Sequence, residues 1–126
     1  MACHGTPSDP LFGYFNHNNP QDVRLEIGRV GDPDYFFFGH THVPCDTHSN
    51  RTHIINPGSL GQPRDENPAA AYAVWENGQI HFRRSGYDTE ETGDAFVSTG
   101  LHQRVVDALI AVTRSGGRFP KDSSEH

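Results

Sequence analysis

The sequence predicts an α/β domain built on an open, mixed sheet, with its chemistry at strand ends and two helices on the C-terminal side. Three observations carry this. Between positions 20 and 30 the apolar residues Val23, Ile27 and Val30 recur at i, i+4, i+7, with Arg24, Glu26 and Arg29 between them, as on one face of a helix. Gly31-Asp32-Pro33 then stops that helix and leads into Tyr35-Phe36-Phe37-Phe38, an unbroken apolar run that predicts a strand over 34–38 buried on both faces. Helix, short turn and buried strand ending in a polar loop is the order expected of α/β sheets, whose ligands collect beyond the strand ends.

The remaining elements follow in chain order. Met1-Ala2-Cys3 running into His4-Gly5-Thr6-Pro7 predicts the last residues of a strand entering a turn, with the rest of that strand expected upstream. Asp9-Pro10 offers a cap and a first-turn proline, and so predicts a short helix whose apolar side is Leu11, Phe12, Tyr14 and Phe15. Positions 16–20 have loop composition, with His17 solvated. Positions 43–50 predict a polar loop, and 51–56, with His53, Ile54 and Ile55, a short strand. Asn77-Gly78 joins two predicted strands, 70–76 and 79–87, in a hairpin, with Ile80 and Phe82 facing away from Gln79, His81 and Arg83 and with Trp75 assigned to packing. A capping box at Asp88 or Thr89 opens a helix over 88–97, and Gly100 breaks it. A last helix over 101–113 puts Val105, Leu109 and Val112 on one side and leaves His102 exposed in its first turn; Gly116-Gly117 ends it. Residues 1–115 are thus expected to form one partial domain and 116–126 a mobile polar tail.

Composition narrows the function. The chain has 126 residues, 33% of them hydrophobic, with 13 Gly and 9 Pro, which suits one loop-rich domain better than a helix bundle. Ten basic against sixteen acidic residues leave a net charge of −6, so binding to nucleic acid through its phosphates is not expected. No apolar run approaches the roughly 20 residues of a membrane helix, and no basic start followed by an apolar stretch marks a secretion signal. A cytoplasmic location follows as an expectation, with Cys3 and Cys45 as reduced thiols.

The chemistry centres on Gly39-His40-Thr41-His42, at the end of the apolar run. Two imidazoles separated by one residue just past a strand can be aimed into one polar site, Gly39 allowing the sharp exit, and neutral imidazole is the commonest nitrogen ligand of transition metals. Downstream, Asn56-Pro57-Gly58-Ser59-Leu60-Gly61-Gln62-Pro63-Arg64 is dense in turn formers. Its backbone N–H groups and Ser59 could line an anion-binding concavity, with Arg64 as a phosphate partner.

Taken together, His4-Gly5-Thr6-Pro7, Gly39-His40-Thr41-His42 and the Asn56-Pro57-Gly58-Ser59 element, in that order, resemble the C-terminal half of a calcineurin-like metallophosphoesterase of the small prokaryotic phosphodiesterase branch, over most of residues 2–110. The resemblance implies a four-layer α/β/β/α sandwich with a dinuclear metal site at strand ends and a metal-activated bridging water that attacks phosphorus. It makes His4 and His40 ligands of one ion and His42 a ligand of the other, the ions being Mn, Fe, Zn or Ni. The implied activity is hydrolysis of small phosphate esters, as a phosphodiesterase or phosphatase. The family's Asp-x-His, its bridging Gly-Asp and its Gly-Asn-x-Asp/Glu belong to an N-terminal half and are expected to lie outside this chain. Gly31-Asp32 and Gly93-Asp94 match the second only by spelling. The chain alone is therefore expected to be inactive and to need an N-terminal half, a partner chain or a second copy to cover its sheet. The alternative is a non-catalytic, degenerate or split-enzyme module that binds a partner or weakly holds a metal.

Overall fold

The computed structural model describes residues 1–117, so the tail predicted over 116–126 lies, beyond Gly117, outside the described residues. The chain falls into two compact units, Met1–Ser59 and the residues from Leu60 onward.

In the first unit Asn19 caps helix α1 (Pro20–Arg29): its side chain accepts from the Gln21 N–H, proline occupies the first turn, and Val23 and Ile27 form the buried stripe. The turn at Gly31 (φ 76°) and Asp32 (φ 50°) reverses the chain into β1 (Tyr35–Phe37). Two further strands, β2 (Cys45–Ser49) and β3 (Thr52–Asn56), complete a three-stranded sheet of order β1-β3-β2. β1 runs parallel to β3, with Phe36 opposite Ile54, and β2 runs antiparallel to it, with Thr47 opposite Ile54. The sheet is mixed, as expected. Residues 1–3 extend it beyond β1: Ala2 bridges Phe37 in parallel, and the Phe37 N–H donates to the Met1 carbonyl at 2.9 Å.

Because side chains alternate across a strand, the register sorts the sheet into two faces. Phe36, Ile54 and Cys45 face α1 and join Phe15, Val23, Ile27 and Phe38 in one core cluster, with the rings of Phe15 and Phe38 4.7 Å apart. Tyr35, Phe37, His53, Ile55, Asp46 and His48 share the opposite face. This differs from a strand buried equally on both sides. Phe36 is fully buried, whereas Tyr35 and Phe37 are only half-buried. An apolar run without alternation conceals that difference, since all four side chains look alike in sequence.

Two segments of this unit depart from expectation. The helix predicted from Asp9-Pro10 is a chain of tight turns: the Gly5 N–H reaches the Pro10 carbonyl at 2.8 Å, and Asp9 Oδ1 accepts from the Phe12 N–H. A Cβ on Gly5 would lie 2.6 Å from the Gly13 carbonyl oxygen, so the loop closes too tightly for a helix to grow. Leu11, Phe12 and Tyr14 are consequently exposed, and of the four apolar residues Phe15 alone enters the core. The loop predicted over 43–50 contains β2. Its polar residues pair with β3 across a turn at Asn50 (φ 53°), a left-handed position that asparagine tolerates.

In the second unit β4 (Ala70–Glu76) and β5 (Gln79–Ser85) form a two-stranded antiparallel sheet. Asn77 (φ 51°) and Gly78 (φ 78°) both take the positive φ of the expected hairpin turn. Trp75, assigned to packing, is 60% exposed. Helix α2 (Thr89–Val97) is capped by Asp88, whose carboxylate accepts from the Glu90 and Glu91 N–H groups. Helix α3 (Gln103–Ser115) begins two residues later than expected, because His102 is its cap and accepts from the Arg104 N–H. Its buried face is Val106, Val112 and Thr113, while Val105 stays 46% exposed. Arg114 on α3 pairs with Glu90 on α2, and Ile110 packs over Gly93. Among the described residues no helix is long and apolar enough to cross a membrane.

Candidate metal site

Ala2, β1 and β3 run parallel, so the residues that follow them leave the sheet at one end. That end carries His4, the segment 39–42 and the loop that begins at Asn56. The Gly39 N–H donates to the His4 carbonyl at 3.0 Å, tying the first histidine's backbone to the second motif. His4 Nε2 then lies 3.1 Å from His40 Nδ1, with the rings edge to face at 5.0 Å. Tyr14 approaches the other side of His40, ring to ring at 6.4 Å.

The sharp exit is made differently from the expectation at Gly39. Gly39 is outside the left-handed region; His40 (φ 62°) and His42 (φ 59°) occupy it instead. A non-glycine residue there costs about 1 kcal/mol or more, and persists where the surroundings hold it. The holding residue is Asn56. It is fully buried at the end of β3, and its Nδ2 donates to the Gly39 carbonyl at 3.1 Å and to the Thr41 hydroxyl at 2.9 Å. Thr41 is itself buried, so the loop is pinned at its centre, and the flanking His40 and His42 are half-buried. Asn56 Oδ1 also accepts from the Gly58 N–H at 2.9 Å. That closes an Asx turn and uses one of the N–H groups assigned to an anion cradle.

The donors fit a divalent transition ion. Two imidazole nitrogens on one tetrahedral ion, each about 2.0–2.1 Å from it, are about 3.4 Å apart, close to the His4–His40 separation. Among the described residues no third His, Cys, Asp or Glu, His42 included, joins that pair within the 4.8 Å spread of a metal shell. Cys3 and Cys45 are free thiols. Burial and then Asp46 push the Cys45 thiol up to about 11, so it is a protonated core residue at neutral pH. Ser59 is half-buried at the end of the first unit. Arg64 belongs to the second unit, exposed, its guanidinium 3.4 Å from Gln62 Oε1.

One further pattern becomes meaningful only in three dimensions. Asp46-Thr47-His48 spells Asp-x-His, although it follows the histidine motif instead of preceding it. The structure sets it on β2 beside His53 of β3 and away from His4 and His40. Asn56 was also missed as a positioning residue; its signal was an asparagine before Pro-Gly at a strand end.

The model of the calcineurin-like phosphoesterase superfamily domain matches residues 2–78, a stretch that holds every histidine, turn and arginine named above for the site. The chain belongs to this superfamily. The matched region is the N-terminal part of the chain, where the motif resemblance extends to 110. A metallophosphoesterase from Sphaerobacter thermophilus is similar in structure at a TM-score of 0.75 and 29% identity, over 91% of this chain and 54% of its own. An uncharacterized protein of Methanocaldococcus jannaschii is 28% identical over 123 residues, 76% of this chain and 50% of its own. A hypothetical protein of Pyrococcus horikoshii shares the fold at a TM-score of 0.76 and 18% identity, over 94% of this chain and 46% of its own. The chain therefore spans about half the length of the relatives it matches.

Proposed function

We propose that this chain supplies the histidine ligands of a metal-dependent phosphoric ester hydrolase, a phosphodiesterase or phosphatase, and that it does not hydrolyse phosphate esters efficiently by itself. The observation that carries this is the pair of imidazoles meeting at 3.1 Å at the ends of parallel strands, in a chain of the calcineurin-like phosphoesterase superfamily. His4 and His40 would hold one divalent ion and His42 another; that His42 stays outside the pair agrees with this division. Bound there, such ions lower the pKa of water and neutralise charge on phosphoryl oxygens. The chain's own contribution is to fix the imidazoles: Asn56 and Thr41 hold the loop, and the Gly39 N–H holds His4. Ser59 and Arg64 are proposed as phosphate contacts. The carboxylate ligands would come from an N-terminal half, a partner chain or a second copy. A non-catalytic, metal-holding or partner-binding module is the second reading, favoured by the lack of a third donor beside His4 and His40 among the described residues.

The test is hydrolysis of a generic phosphodiester by the purified chain with added Mn(II). Turnover near the buffer rate is expected. Robust turnover abolished by His42→Ala would show that the chain is a complete enzyme and would overturn its dependence on outside ligands. The nucleotide sequence preceding Met1 separates the two readings. In-frame Asp-x-His, Gly-Asp and Gly-Asn-x-Asp/Glu codons are expected for the hydrolase, and a stop codon close upstream for the module.

A further inference from the structure

β2 is the edge strand of its sheet, and on it Asp46 and His48 stand two residues apart, hence on the same face. Antiparallel register sets His48 directly opposite His53 of β3. The two rings stack at 4.2 Å with their planes 16° apart, and His53 Nε2 meets Asp46 Oδ1 at 2.6 Å. One ligand atom from each of the three lies within 4.8 Å of the others. The cluster faces away from the α1 core, and β2 stands two strand spacings, about 10 Å, from β1, whose end carries His40. These residues therefore form a group separate from His4 and His40.

We propose that Asp46, His48 and His53 bind a divalent transition ion, Zn(II) in preference to Mg(II) or Ca(II), with water completing its shell. Two imidazoles and one carboxylate are a borderline donor set that suits zinc, nickel or copper and not the all-oxygen shells of magnesium and calcium. Ligand atoms on a tetrahedral zinc are about 3.4 Å apart, so small side-chain rotations close the present spread. The side chains are free to make them, since Asp46 is 50% exposed and His53 20%. The backbone is already set: a cross-strand pair plus an i, i+2 residue presents three donors on one face without rearranging the hairpin. An ion there would bind β2 to β3 and so clip the edge of the sheet.

Equilibrium dialysis of the full chain, stripped with chelator and then exposed to micromolar ZnCl2, tests this by counting zinc per chain. His48→Gln and His53→Gln are each expected to remove one zinc or to weaken its binding by roughly tenfold or more, with Asp46→Asn weakening it as well. The double substitution His40→Gln with His42→Gln is expected to leave this zinc in place, and Mg(II) is expected not to displace it. Zinc binding in His48→Gln and His53→Gln indistinguishable from that of the unmodified chain would overturn the proposal. A readout free of any variant accompanies it: the ring resonances of His48 and His53 in the unmodified protein should shift together on adding one equivalent of zinc. Unmoved resonances would overturn the proposal equally.

Discussion

Asn56 shows how much one buried polar residue can decide. Its side chain makes three hydrogen bonds, to Gly39, Thr41 and Gly58, and none of these partners neighbours it in β3. A buried amide that loses such bonds leaves its partners unpaired, at about 1–3 kcal/mol for each orphaned group. Asn56→Ala is accordingly expected to destabilise the chain by about 3 kcal/mol, read as a lower urea midpoint at unchanged slope. A loss under about 1 kcal/mol would show that the loop of His40 and His42 holds its left-handed backbone without Asn56. The motif was visible in sequence as Asn56-Pro57-Gly58, but the sequence assigned its work to backbone N–H groups facing an anion. The residue actually reaches back to a loop fifteen or more positions earlier, and linear spacing cannot show that.

Among the elements, those that depend on local chemistry were legible. Helix α1 was set by its 3–4 spacing, α2 by the Asp88 cap, and the β4–β5 hairpin by Asn77-Gly78. Strand β2 was not, because Cys45-Asp46-Thr47-His48-Ser49 has the polarity of a loop, and only pairing with β3 makes it a strand. The end of α3 gives an element-scale prediction. Gly116 has φ 70°, and a Cβ there would lie 2.4 Å from the Asn67 backbone nitrogen; Gly100 has φ 73° but open space around it. Gly100→Ala should therefore cost only the left-handed backbone, about 1–2 kcal/mol. Gly116→Ala adds a clash with backbone that cannot give way, and should cost at least about 1 kcal/mol more. Thermal unfolding of the two variants side by side checks this; equal losses would mean that Asn67 moves freely.

For the whole molecule, net charge and the share of its relatives' length that it spans bear on behaviour. A net charge of −6 with no basic cluster predicts that the chain passes through a heparin or phosphocellulose column at about 0.15 M salt without retention. Retention that falls steeply with salt would reveal a basic surface hidden in the overall count. The chain has about half the length of its relatives, and it carries two imidazoles that meet at a strand end, where no carboxylate joins them among the described residues. For that reason the hydrolase activity is proposed for an assembly larger than this chain.

What the sequence determined by itself was the family, through the order and content of its motifs, and those elements whose signals lie within a few residues: helix spacing, caps and the two-residue hairpin turn. What the tertiary structure alone decided was adjacency. Strand register brought Asp46, His48 and His53 onto one face, parallel strand ends brought His4 to His40, and Asn56 pinned the loop that carries His40 and His42. The physical reason is range. Local backbone preferences act within a turn or two of chain, whereas pairing register and buried side-chain hydrogen bonds join segments whose separation in sequence carries no trace of their contact.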